Sequence, residues 1–330
     1  MIIARTPLRV SFLGGGTDLP SFYREEEGAV LSTTIDKYVF ITVNDRFDES
    51  LRLSYSKTEI CDAVDQVEHR ILRAVLGRYA PEARARSGGR GLEILSMADI
   101  PAGTGLGSSS SFTVSLLHAI TAHVGRFRSA EELAAEACAI EIDELGEPIG
   151  KQDQYAAAYG GLQYIRFLPS GEVCAEPVIC SAQTKAALQG SMLLLYTGVT
   201  RSASGILEQQ RGNVSRKRAE LRAMRDLAAR MRRLLESSGD IAEAGALLHE
   251  GWELKRSLAS GISDDRIDGW YARARDAGAL GGKLLGAGGG GFLLLLCPPS
   301  QHQRVREALP ELRAVPVALE TFGSRIIFVG

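Results

Sequence analysis

The chain has 330 residues, 45% hydrophobic and 24% charged, with a formal net charge of −2. That length asks for two cores of moderate size rather than one, and the composition is that of a globular protein. The near-neutral charge gives no basic field for nucleic acid. No apolar run approaches the roughly 20 residues that span a bilayer, and residues 1–14 carry Arg5 and Arg9 where a signal peptide needs apolar side chains. Neither nucleic acid nor membrane is therefore expected as a partner.

The first strand is predicted around residues 8–12, where Leu8, Val10 and Phe12 alternate with Arg9 and Ser11. It runs into Gly14-Gly15-Gly16-Thr17-Asp18, which reads as a turn. Further strands are expected at 38–43, 51–55 and 92–97, with a helix over 63–79. Serines 108–111 open a helix to residue 124, and Ser129 with Glu132 forms a capping box for another to about 145. Gly146, Pro148 and Gly150 break the chain, and strands follow at 161–168 and 192–196. Apolar positions from Leu221 to Leu235 mark one face of a long helix over 202–237, whose arginines read as a solvated outer face because acids are interspersed. Helices over 241–257 and 264–277, a glycine-rich loop, a strand, and a last helix and hairpin complete the chain. Strands and helices without strict alternation argue for α+β, with a boundary between domains near residues 180–190.

Five cysteines (Cys61, Cys138, Cys174, Cys180, Cys297) are scattered, with no C-x-x-C pair. They indicate neither a disulfide framework nor a zinc site and predict reduced, mostly buried thiols in a cytoplasmic protein.

Two glycine-rich segments carry chemistry. Pro101-Ala-Gly-Thr-Gly-Leu-Gly-Ser-Ser-Ser-Ser111 lies between a strand and a helix. Glycines let backbone N–H groups approach a ligand, and the helix start adds unsatisfied donors and a positive dipole end, which together cradle phosphate. A serine N-cap explains a lone G-x-G, but not three alternating glycines running into four serines. No lysine follows as in a Walker A loop, and the G-x-G-x-x-G spacing is absent. In the second segment, Lys283-Leu-Leu-Gly-Ala-Gly-Gly-Gly-Gly291, five glycines in six residues precede an apolar strand, which points to backbone packed closely against a neighbour.

Together these segments resemble the GHMP kinases over essentially the whole chain. The P-x-G-x-G-L-G-S-S motif is matched in full by residues 101–109, and the third motif by residues 283–291. The resemblance implies a two-domain α+β fold, with a ribosomal S5 domain 2-like N-terminal domain over 1–185 and a ferredoxin-like C-terminal domain over 186–330. The sugar-kinase branch gives finer matches in Pro7-Leu-Arg-Val-Ser-Phe-Leu-Gly-Gly-Gly-Thr-Asp18, in Glu141, and in Gly146-Glu-Pro-Ile-Gly-Lys-Gln-Asp-Gln154.

By that resemblance, ATP and Mg²⁺ are the cofactors. Gly103, Gly105, Leu106, Gly107, Ser108, Ser109 and Ser110 bind ATP; Asp153 is the catalytic carboxylate with Arg9 as its partner; Ser109 and Glu141 hold the metal. Thr17, Asp18, Gly15, Gly16 and Gly288 are expected around the sugar. Mg²⁺ takes a few hard oxygens from protein and the rest from water and phosphate, so one hydroxyl and one carboxylate suit it. Without the shared spacing, Glu141 reads as a surface acid, Asp153 as a helix cap and Arg9 as half of a surface pair.

Galactokinases have Glu-His where this chain has Gly15-Gly16. Losing both side chains opens space and removes a charge, which suits a longer sugar or one with a terminal phosphate. The opening segment and residues 28–38 resemble D-glycero-D-manno-heptose 7-phosphate kinases, which phosphorylate O1 to give the 1,7-bisphosphate for nucleotide-activated heptose in lipopolysaccharide, capsule or S-layer glycan. A sugar phosphate needs a cationic clamp. Arg201 is the candidate, with Arg24 and Lys37 as weaker ones. Fucose, galactose or an octose phosphate stay open as substrates, as do a non-catalytic sugar sensor and an ATP-dependent decarboxylase of the same fold. The oligomeric state is not set by the sequence, and a homodimer is compatible with it.

Overall fold

The structure, a computed structural model, describes residues 1–199, 204–237 and 239–330. In the first half of the chain the strands are β1 (Ile2–Leu13), β2 (Gly28–Asp45), β3 (Leu51–Ser54), β4 (Thr58–Cys61), β5 (Leu92–Ala98), β6 (Leu162–Phe167) and β7 (Val173–Pro177). The helices among them are α1 (Pro20–Tyr23), α2 (Arg70–Ser87), α3 (Ser108–His123), α4 (Ala130–Cys138) and α5 (Gln152–Tyr159). The second half has strands β8 (Met192–Tyr196), β9 (Gly281–Leu284), β10 (Phe292–Leu296), β11 (Arg313–Val315), β12 (Leu319–Glu320) and β13 (Arg325–Val329). Its helices are α6 (Ala182–Ser191), α7 (Ser204–Asn213), α8 (Arg218–Glu236), α9 (Ile241–Arg256), α10 (Asp265–Asp276) and α11 (His302–Ala308).

A nine-stranded sheet runs β13-β1-β2-β5-β3-β4, with β6, β7 and β12 joined beside it through β2. Strand β2 is the spine. Its first residues pair with β6 and its last with β5, while β1 lies along its other edge. The strand expected at 38–43 covers only part of the second half of β2, where buried and partly exposed residues alternate. The first half is buried on both faces and so lacks a periodic signal. The second sheet, β11-β8-β10-β9, is antiparallel throughout. In β10, Leu294 and Leu296 join the core under the first sheet, whereas Leu293 and Leu295 join a second core around Trp252 and Trp270. The period-2 geometry of a strand thus explains an unbroken run of apolar residues: both faces are covered.

A cut near residue 185 separates the two sheets except for the end of the chain, which returns. β12 pairs with β2 and β13 with β1, and Ser324 between them bonds Thr6 Oγ1 (2.7 Å) and His118 Nδ1 (2.9 Å).

Several helices differ from the sequence reading for local reasons. Residues 64–66 form a single 3₁₀ turn, and α2 starts at Arg70, capped by His69. The capping box on Ser129 is present, but α4 ends at Cys138 and continues as one π-helical turn over Ala139–Glu144. The long second-half helix is two helices, α7 and α8, broken over 214–217. The stripe Leu221, Met224, Leu227, Met231, Leu234 and Leu235 on α8 is buried as expected. Its arginines are not simply solvated. Arg218 and Arg222 pair with Glu25 or Glu26, Arg225 with Glu26, and Arg232 with Glu176, so α8 is clasped to the loop after α1 and to β7. Single exposed pairs contribute little; several sharing Glu26 act as a network. Cys61, Cys138 and Cys297 are buried thiols, Cys174 and Cys180 are half-buried, and all five are unbridged. Among the described residues, no helix is long and apolar enough to cross a membrane.

Candidate active site

The end of β1, the turn after it, the loop before α3, the π turn, the start of α5 and the glycine loop before β10 converge on one cleft of about 340 Å³. Arg9, on β1, is 4% exposed. Its Nε and Nη2 donate to the two carboxylate oxygens of Asp153, each at 2.7 Å, and Nη1 donates to Gly105 O at 2.6 Å. The planar fork matches both carboxylate oxygens, so Asp153 is held in one orientation at the first turn of α5. The backbone N–H of Arg9 also donates to Leu106 O (3.0 Å), which ties the glycine loop to β1.

In that loop Gly103, Gly105 and Gly107 have φ of 76°, 84° and 74°, a left-handed backbone that favours glycine. Gly105 is also needed for space, because a Cβ there would lie 2.5 Å from Leu285 O. Gly286 packs reciprocally on Gly105 Cα. The second glycine-rich segment is therefore the surface against which the first is pressed. Ser108, Ser109 and Ser110 open α3 at the cleft. Leu106 faces the core instead, fully buried, and serves the loop as an anchor.

Glu141 is 1% exposed on the π turn. It accepts from Ser110 Oγ (2.8 Å), Gln154 Nε2 (2.6 Å), Thr113 Oγ1 (3.0 Å) and, at a long 3.3 Å, from Ser109 Oγ. Burial raises its pKa, while bonds from Gln154, Ser110 and Thr113 oppose the rise. The π turn adds one residue to the helical register, which sets Glu141 against α3. Ser109 Oγ and Glu141 Oε1 are two hard oxygens at the cleft wall, and the long bond between them is the one a cation would replace. The pair fits Mg²⁺, which needs few protein ligands beside phosphate.

On the opposite side, Asp18 is 2% exposed and accepts from the N–H groups of Gly16 (2.8 Å) and Gln152 (3.3 Å). Burial is the main cause raising its pKa. Gly150 makes room for it, since a Cβ there would lie 2.0 Å from Asp18 Oδ2. Gly15 lines the cleft, and a Cβ there would stand in ordinary contact with Gln152 at 3.7 Å, so this position accepts a side-chain atom without a clash. Gly16 differs. Its φ is 99°, and a Cβ there would meet Leu221 Cδ2 at 3.0 Å, so the space expected at this position is taken up by α8.

Two expected sugar contacts do not line the cleft. Thr17 is fully buried; its hydroxyl donates to Gly14 O (2.8 Å) and accepts from Ala29 N (3.0 Å), which closes the turn. Gly288 packs on Ile262, where a Cβ would sit 2.6 Å from its Cα. Arg201 lies outside the described residues. Lys37 bonds to Asp36, and Arg24 lines a separate pocket with Lys151. Lys151 donates to Gly171 O (2.7 Å) and stacks over Tyr23 rather than facing the cleft.

The sequence reading missed several cleft residues. Gln152 receives Ser11 Oγ at 2.9 Å, and Leu207 and Gln210 of α7 cover the cleft. Lys255 and Lys283 are 7% and 5% exposed at its floor. For Lys255 a signal existed: it continues the stripe Leu248, Trp252 on the buried face of α9.

Comparison with known proteins gives the family. Residues 69–161 match the GHMP kinases N terminal domain and residues 223–314 the GHMP kinases C terminal domain, together more than half of the chain. The chain is 29% identical to D-glycero-alpha-D-manno-heptose 7-phosphate kinase of Campylobacter jejuni over 93% of each protein. It is 28% identical to L-fucokinase/L-fucose-1-P guanylyltransferase of Bacteroides fragilis over 94% of this chain and 36% of that one. A crystal structure of a D-glycero-D-manno-heptose 1-phosphate kinase from Bacteroides thetaiotaomicron superposes over 100% of both chains with a TM-score of 0.82 and 25% identity. With both domain patterns matched and the glycine loops packed on each other around one cleft, the chain belongs to the GHMP kinase family and is a phosphotransferase of its two-domain α+β fold.

Proposed function

We propose that this chain is an ATP-dependent sugar kinase that phosphorylates O1 of D-glycero-D-manno-heptose 7-phosphate, giving the 1,7-bisphosphate and ADP. The observation that carries the reading is the bidentate Arg9–Asp153 pair, held within one cleft between the glycine loop at α3 and the buried Asp18. A nucleotide phosphate suits the first side, and a sugar hydroxyl suits the second.

The roles follow from that arrangement. Backbone N–H groups of residues 103–110 and the start of α3 bind the phosphates of ATP. Asp18 accepts from sugar hydroxyls, and the space beside Gly15 takes the sugar's far end. Asp153 orients the attacking hydroxyl and receives its proton as the new O–P bond forms and the bond from the γ-phosphorus to the ADP oxygen breaks. Arg9 holds Asp153 and contributes positive charge near the developing negative charge. Ser109 and Glu141 would hold Mg²⁺, which when bound neutralises charge on phosphate oxygens. An anomeric hydroxyl is more acidic than an ordinary alcohol, which eases the demand on Asp153.

The heptose assignment rests on the resemblance of the opening segment, on the Campylobacter jejuni relative and on the absence of a side chain at the cleft-lining Gly15. Incubation with Mg-ATP and heptose 7-phosphate, followed by phosphorus NMR, tests it. A new anomeric phosphate signal with ADP forming in step is expected. A folded, ATP-binding protein that makes no product would reject this substrate and send the search to fucose, galactose and octose phosphates.

Glu141→Ala is expected to raise the Mg²⁺ concentration needed for half-maximal rate by about tenfold, the scale of losing one charged ligand. An unchanged Mg²⁺ dependence would leave Glu141 as the hydrogen-bonded link between the π turn and α3.

A further inference from the structure

Lys255 stands out among the buried groups that this mechanism leaves unused. It lies on the apolar stripe of α9, where an ammonium costs several kcal/mol to bury unless its charge is compensated. Its Nζ donates to Leu284 O (2.9 Å) and Gly286 O (2.6 Å). These two bonds use both N–H groups of a neutral amine, and protonation adds a third donor that has no partner among the described residues. Among the described residues, no carboxylate lies within 4.0 Å of Lys255 or of Lys283. The carboxylates that line the cleft with them are engaged elsewhere: Asp153 by Arg9, Glu141 by α3 and Gln154, Asp18 by backbone N–H groups. Lys255 therefore has no carboxylate partner to hold it charged, and an anion arriving in the cleft supplies one.

Position says which anion. Gly286, whose carbonyl Lys255 holds, packs on Gly105 of the phosphate loop, and Arg9 holds Gly105 from the other side. Lys255 is thus fixed beside the loop where the nucleotide's terminal phosphate is read to lie. Lys283, by contrast, donates to Phe12 O (2.9 Å) and fastens β9 to the end of β1.

Resting on the kinase reading above, we propose that Lys255 contacts the phosphoryl group being transferred and supplies it with a second cation opposite Arg9. Burial, with Arg9 adding repulsion, lowers the Lys255 pKa to about 7. The groups facing this region are Arg9 from β1, Lys283 from β9, Asp18 from the turn and Asp153 from α5. Of these, the cations oppose protonation, and the carboxylates are already bonded. The amine is therefore largely neutral at pH 8 without nucleotide, and the arriving terminal phosphate draws a proton onto it.

Two measurements test the assignment. Calorimetry of the wild-type protein at pH 8, in two buffers of different ionisation enthalpy and without acceptor sugar, reads proton uptake. Close to one proton per site is expected with Mg-ATP and close to none with Mg-ADP. In Lys255→Met, affinity for Mg-ATP is expected to fall about tenfold or more, the scale of one lost bond to a charged group, with Mg-ADP affinity within about twofold. Turnover is expected to fall by about 10²–10³. Equal loss for both nucleotides, or Mg-ATP binding to wild type without proton uptake, overturns the role of Lys255 and leaves the kinase reading standing. A wild-type protein that binds neither nucleotide overturns both.

Discussion

Replacing Asp153 by asparagine is expected to leave nucleotide binding intact and to cut turnover by about 10²–10⁴, the scale of a positioned acid–base group. The amide has the carboxylate's size but offers Arg9 one acceptor where there were two, and turns an NH₂ toward a guanidinium that only donates. The fork that holds the side chain at 2.7 Å on both oxygens is lost, and so is the lone pair that takes the hydroxyl proton. The glycine loop does not depend on this pair. It stays on β1 through the Arg9 N–H to Leu106 O and through Arg9 Nη1 to Gly105 O. Turnover with sugar and affinity for Mg-ATP should therefore separate in one variant. Near-normal turnover would remove Asp153 from the reaction.

Gly150→Ala is the matching experiment on the sugar side. A methyl at this position would lie 2.0 Å from Asp18 Oδ2 and 2.8 Å from Asp18 O, closer than atoms in contact can stand. Gly150 is not among the glycines with a positive φ, so the alanine backbone itself is unstrained and the clash falls on Asp18. Displacing that carboxylate removes its bonds from Gly16 and Gln152 and takes it away from the sugar hydroxyls. The expected result is a KM for the sugar at least about tenfold higher, the scale of losing a bond to a charged group. The KM for ATP should stay within about twofold, and a stability loss of about 1–3 kcal/mol is expected for overpacking. Steady-state kinetics with each substrate varied in turn decides it. An unaltered sugar KM would mean that Asp18 only braces the turn.

The contrast between Gly15 and Gly16 shows how far sequence reasoning reaches at such a site. Both are glycines at the sugar side of the cleft, and the spacing alone treats them alike. What separates them is Leu221, a residue more than two hundred positions away, whose packing against Gly16 no local pattern announces. Thr17 is a similar case. A hydroxyl beside Asp18 reads as a sugar contact until the fold directs it onto Gly14 and Ala29. Arg9, Asp153, Glu141 and the serines were legible because each sits in a motif whose spacing records a three-dimensional constraint. The loop at 101–111 was legible even from first principles, since left-handed glycines before a helix have few other uses. Lys255 was legible as an anomaly only, a charged residue on a buried stripe, because nothing nearby in sequence indicates that α9 ends against the phosphate loop. The start of α2 was misread at the 3₁₀ turn before it, and the π turn carrying Glu141 was not foreseen, although the helical run ends at Glu144, close to the expected 145. Periodicity carries no information about such turns.

The return of the chain's last strand to the first sheet has a consequence for how the protein is made. β13 pairs with residues 2–5 of β1, so β1 leaves the ribosome long before the partner on its outer edge. Apart from the two-residue β12, the rest of that sheet is on hand once β7 has emerged, yet the outer edge of β1 stays unpaired while the whole second sheet is translated. At about 5–20 residues per second that interval lasts on the order of ten seconds. An unpaired strand carrying Ile2 and Ala4 is a template for pairing with other nascent chains. Translation speed through the second half, and the chaperones that shield edges during it, therefore bear on the yield of active enzyme although neither touches the site.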